Sequence, residues 1–111
     1  MAGDDPFWMV IHPDGVLEQY HDKPTLEELQ EAVGGDIEEV PVHSKRFTAL
    51  VNEEGKLKGL PFNPYATGIL KPVGDFLVGP VVFIGPPDRK GNSTRLTFDV
   101  ANDLLTVMGA R

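Results

Sequence analysis

Val51 to Leu70 reads VNEEGKLKGLPFNPYATGIL, and the fold turns on how that stretch is divided. Asn52-Glu53-Glu54-Gly55 carries the polar residues and the glycine of a tight turn. Before it, Arg46 to Val51 alternates, with Phe47, Ala49 and Val51 on one face. After it, Lys56 to Leu60 is expected to return as the second strand of a hairpin. Pro61 to Gly68 then reads as a loop pinned by two prolines at the rim of a sheet.

Towards the N-terminus, Phe7-Trp8-Met9-Val10-Ile11 is apolar throughout, as in a strand covered on both faces. His12-Pro13-Asp14-Gly15 is a turn, and Val16 to Tyr20 returns antiparallel. Thr25-Leu26-Glu27-Glu28 is a capping box, followed by an apolar stripe at Leu26, Leu29 and Val33. Gly34-Gly35 ends that helix. Ile37 to His43 is extended, and Pro41 suits an edge strand because it cannot donate to a ladder.

Towards the C-terminus, Phe76 to Ile84 is strand-like, with a break at Gly79-Pro80. Gly85 to Ser93 reads as a mobile polar loop, and Thr97 caps a last helix to about Met108 with Phe98, Ala101, Leu105 and Met108 sharing a face. The element order ββαββββα predicts a single α+β domain over residues 1–111, with one small, twisted, mainly antiparallel sheet and two packed helices.

The 111 residues include no cysteine, which excludes a disulfide framework, a thiol nucleophile and a thiolate-ligated zinc. MAGDDPFWMV lacks the basic and apolar regions of a signal peptide, and no apolar run approaches the roughly 20 residues that span a bilayer. A cytoplasmic location away from membranes is expected. The formal charge is −7, which argues against non-specific nucleic-acid binding, since that rests on phosphate neutralisation. The charge is uneven. Asp22 to Glu39 holds seven acids and one base, whereas Asp88 to Arg95 holds three bases and one acid.

The histidines do not converge on a metal. With His12 opposite Val16 across the turn, His21 lies about 16 Å away, whereas two zinc ligands stand within about 4 Å of each other. His43 has no companion at ligand spacing, so neither metal nor cofactor is expected. His21-Asp22 repeats a dipeptide of metal-dependent phosphohydrolases without their remaining ligands. GPPDRKGNST places Lys90 before Gly91 and Ser93 two residues after it, which is not the order of a phosphate-binding loop. Arg89, Lys90 and Arg95 are still candidates for touching an anion. Ser44 has only its neighbour His43 as a base, and adjacent strand residues point to opposite faces. The stronger candidates are Asn63, Tyr65 and Thr67, which combine an amide, a flat phenol and a hydroxyl on one constrained segment.

The opening hairpin, PTLEELQEAVGGDIEEVPV (Pro24 to Val42), VNEEGKLKGLPFNPYAT (Val51 to Thr67) and the GDFLVGPVVFI strand from Gly74 together resemble an uncharacterised family of small phage, plasmid and prokaryotic proteins. The acidic turn followed by Leu-Pro, Asn63 and Ala66 is the most distinctive piece. The family has no assigned activity, so the resemblance implies a setting among accessory proteins of mobile elements and transfers no catalytic residue. The PPDRKGNST loop and the C-terminal helix match nothing specific.

A non-enzymatic module that binds a protein or a small ligand is therefore expected, as a monomer or a homodimer formed through the edge near Pro41. Two alternatives are a small nucleotide- or metabolite-binding enzyme using residues 61–68, and an acidic decoy that imitates DNA through Asp22 to Glu39.

Overall fold

The computed structural model describes residues 6–42, 45–71 and 75–109. Five strands form one sheet: β1 (Trp8–Ile11), β2 (Leu17–Tyr20), β3 (Ile37–Glu39), β4 (Thr48–Asn52) and β5 (Val81–Ile84). Their order is β2-β1-β5-β4-β3, and every neighbouring pair is antiparallel. Three helices complete the α+β fold: α1 (Leu26–Val33), α2 (Pro64–Leu70) and α3 (Phe98–Val107). Among the described residues no helix is long and apolar enough to cross a membrane.

The apolar runs of β1 and β5 lie inside the sheet because both of their faces are covered. Their alternation divides the core in two. Met9, Ile11, Ala49, Val81 and Phe83 face α2 and α3, where Ala66, Leu70, Val100, Ala101, Leu104 and Leu105 are buried. Trp8, Val10, Leu50, Val82 and Ile84 face Leu29 and Val33 of α1. Helix α1 starts at the predicted capping box, with Glu28 N donating to Thr25 Oγ1 and Thr25 N donating to the Glu28 carboxylate. It ends at Gly34 with φ +82°, a left-handed residue that glycine adopts without strain. Asn52 joins this layer to the sheet, because its Nδ2 donates to the Val33 carbonyl over 3.1 Å.

Several expectations need correction. Lys56 to Leu60 is not a strand. Residues 53–59 form successive turns, in which Lys58 N donates to Glu54 O and Leu60 N to Gly55 O. A strand has two ladder edges, and those of β4 are taken by β3 and β5. Pro64–Leu70 is a helix where a loop was expected, so three helices pack on the sheet instead of two. Its start follows ordinary capping chemistry, with Asn63 as N-cap and proline in the first turn.

The two predicted helix stripes hold at Leu29, Val33, Ala101 and Leu105 and fail at their first residues. Leu26 is exposed while Leu29 and Val33 are buried, and Phe98 is exposed while Val100 and Leu104 turn inward. Strand β3 stops at Glu39, and His43 and Ser44 lie outside the described residues. The loop after β5 is tied by Asp88, whose carboxylate accepts from Lys90 N and Asn92 N, and by a bridge between Gly85 and Thr94.

Candidate functional site

The segment 61–68 was the first candidate, and burial decides its chemistry. Asn63 is fully buried. Its Oδ1 accepts from Ala66 N at 3.0 Å, and its Nδ2 donates to the carbonyls of Ile11 at 3.0 Å and Gly79 at 2.9 Å. The amide is thus fully engaged by main chain, and no solvent-borne group reaches it. Thr67 Oγ1 accepts from Leu77 N at 2.9 Å, holding the 75–78 segment against α2. Both polar groups serve the fold; Asn63 is buried where exposure at a rim was expected, whereas Thr67 is half-buried. Tyr65 does face solvent, with its ring against the hairpin turn. A Cβ at Gly15 would stand 3.0 Å from the Tyr65 hydroxyl.

The basic residues of the β5–α3 loop do not gather into a hollow. Arg89 and Lys90 are exposed on the turn organised by Asp88, and the Arg95 guanidinium lies 5.1 Å above the Phe7 ring. Hydrogen bonds from Asn92 and Lys90 main chain hold the Asp88 carboxyl below the usual carboxylate range. Among the described residues no group of three or more His, Asp or Glu side chains is placed to hold a metal.

Two hollows remain. One lies between α1 and the first hairpin, where Trp8 and Tyr20 stack at 4.2 Å and His12 Nε2 meets Glu18 Oε1 at 2.5 Å. Burial, and then the charges of Glu18 and Glu31, push the Tyr20 hydroxyl above its ordinary value. The His12–Glu18 contact was readable in the hairpin register: Val10 opposes Glu18, and His12 is two residues further on the same face. This lining offers a proton-carrying pair but no serine, threonine, cysteine or lysine beside it to act as nucleophile.

The other is a groove of about 200 Å³ where the β3–β4 edge of the sheet meets the turns after β4 and the segment leading to β5. Val40, Val51, Leu57, Phe76 and Leu77 give it an apolar lining, with Val40 and Leu77 buried and Leu57 and Phe76 exposed. Glu38 and Glu53 supply carboxylates on this face, whereas Glu39, the next residue of β3, points to the α1 face and borders the groove through its main chain. Lys56 is occupied by an ion pair with Asp75 and lies 4.5 Å above the Phe76 ring. That pairing, together with the amide of Phe76, holds the Asp75 carboxyl below its ordinary range. Phe76 in turn meets Phe62 edge-on at 5.9 Å. Leu57 is 88% exposed and Phe76 47%, so two large apolar side chains of the lining stand in water, and Phe62, 51% exposed, extends the apolar surface from the far side of Phe76. Reading Lys56 to Leu60 as a strand concealed this surface, because it assigned Leu57 to a ladder.

The fold and groove define a small α+β domain of one antiparallel sheet and three helices, with an apolar and acidic edge. Residues 8–108 match the model of a domain of unknown function, DUF3846, and the chain belongs to that family. No curated protein and no solved structure matches it.

Proposed function

We propose that this chain is a non-catalytic binding module whose working surface is the groove at the β3–β4 edge, acting as an accessory protein of mobile-element type. The exposure of Leu57 and Phe76 in the lining of one hollow, with Phe62 packed on the Phe76 ring, carries this reading. Single exposed apolar residues are ordinary, whereas a cluster of large ones rimmed by charges marks an interaction surface. The hollow behind α1 supports catalysis less well, since its lining holds no serine, threonine, cysteine or lysine beside the His12–Glu18 pair. The basic loop offers charge without concavity.

Selection from a random peptide display library tests the proposal. The unmodified chain enriches a consensus containing apolar anchors, and Leu57→Asp abolishes the enrichment while its far-UV spectrum and melting temperature are kept. Enrichment that survives Leu57→Asp places the working surface elsewhere.

A further inference from the structure

Strand β3 is the last strand of the sheet on its side, and among the described residues no strand lies beyond it. Val40 N donates to Ala49 O and Asp36 O accepts from Glu53 N, both over 2.8 Å. Antiparallel alternation therefore directs the main-chain groups of Asp36, Glu38 and Val40 to β4 and those of Ile37 and Glu39 outward. An open row of this kind is a template for another extended chain. Pro41 falls on the outward-facing set, where its missing N–H costs the existing ladder nothing and limits any added strand to a short one.

Resting on the groove's role as the working surface, we propose that its partner is an extended polypeptide segment, alternating apolar and basic residues, that adds to the open edge of β3. Strand addition obtains affinity from main-chain hydrogen bonds and selectivity from the pockets that receive alternate side chains. An added strand beside β3 directs every second side chain to the groove face, where Val40, Val51, Leu57 and Leu77 accept apolar groups. Glu38 and Glu53 lie on the same face of the lining, and its lysine is already paired with Asp75, so the groove presents unneutralised negative charge. Lysine or arginine in the added segment complements it.

Charge also separates this partner from a second copy of the chain. Symmetric pairing of two β3 edges brings the same carboxylates against themselves, on a protein already at −7.

The test uses a short capped peptide alternating valine and lysine, titrated by fluorescence polarisation against the whole chain. Binding is expected, with slowed amide exchange at Ile37 and Glu39. N-methylation of the peptide amides that face β3 is expected to weaken it by about tenfold or more, since each lost main-chain bond is worth about 1 kcal/mol. Glu38→Gln with Glu53→Gln is expected to weaken it by roughly threefold to tenfold at low salt, and less at high salt. Equal affinity for the methylated and unmethylated peptides overturns strand addition but leaves the groove as a docking surface. An acidic peptide that binds as well overturns the charge argument. Concentration-dependent dimerisation that protects Ile37 and Glu39 assigns the edge to a second copy and overturns the proposal. Display enrichment that survives Leu57→Asp, by contrast, removes the groove itself.

Discussion

The side-chain amide of Asn63 donates to the main-chain carbonyl of Ile11, 3.0 Å away and 52 positions earlier in the chain. This bond fastens the start of α2 to the end of β1, and a second bond from the same nitrogen reaches Gly79 just before β5. One buried residue thus caps a helix and closes the main-chain needs of two chain segments that enter the sheet. Buried carbonyls are costly to leave short of donors, so loss of the amide weakens the arrangement.

Asn63→Ala removes the cap and leaves the Ile11 and Gly79 carbonyls without this donor, at a cost of about 2–4 kcal/mol in urea unfolding. Asn63→Asp keeps the acceptor that caps α2 but loses the donors and buries a charge, and is expected to be no better. Stability of Asn63→Asp matching the unmodified chain at neutral pH would show that the two carbonyls find other partners.

Leu57→Asp is expected to change stability by less than about 0.5 kcal/mol, because the side chain is 88% exposed. The same substitution removes peptide selection. A surface position that changes binding without changing unfolding is what separates a working surface from a packing position, and comparing the two measurements on one preparation checks it.

Gly85→Ala is expected to destabilise by about 1–3 kcal/mol. A Cβ there would collide with the main-chain carbonyls of Thr94 and Arg95, which cannot swing aside as a flexible side chain would. Chemical denaturation of Gly85→Ala beside Gly59→Ala distinguishes the causes. Gly59 has open space around it and a φ of +68°, so its cost is backbone strain alone.

Tyr20 titrates above its ordinary value because burial and the nearby Glu18 and Glu31 disfavour the phenolate. The folded protein therefore holds the phenolic proton more tightly than the unfolded chain. Stability is unaffected below the unfolded pKa of about 10 and falls as pH rises from there through the folded value. Tyr20→Phe is expected to flatten this alkaline loss, measured by melting temperature against pH. An unchanged slope assigns the loss to other groups.

Asp75 behaves with the opposite sign. Its pairing with Lys56 lowers its pKa, so the contribution is present above the unfolded value of about 4 and disappears as pH falls through the folded value. Both side chains are about half exposed, so added salt is expected to mute the effect. Melting curves of Lys56→Gln between acid and neutral pH, at low and high salt, check this.

Much of the framework can be read locally. The first hairpin, the α1 capping box with its glycine stop, the break at Gly79-Pro80 and the Thr97 cap all rest on residues within a few positions of one another. Caps, turns and apolar periods act through adjacent backbone geometry, so sequence spacing is enough to reveal them. Even the end of α2 nearest Asn63 was written there, since asparagine followed by proline is a helix start as well as a loop signal.

The groove is different in kind. Leu57 between two lysines fits either an alternating strand or an exposed turn, and only the occupation of both edges of β4 by β3 and β5 excludes the strand. Asn63 likewise looks the same whether it awaits a ligand or satisfies Ile11, because its partner lies 52 residues away. Strand partners and buried hydrogen bonds are chosen by closing long loops around a shared core, a competition among distant segments that no short window contains. Which side chains stand in water at the β3 edge follows from that outcome.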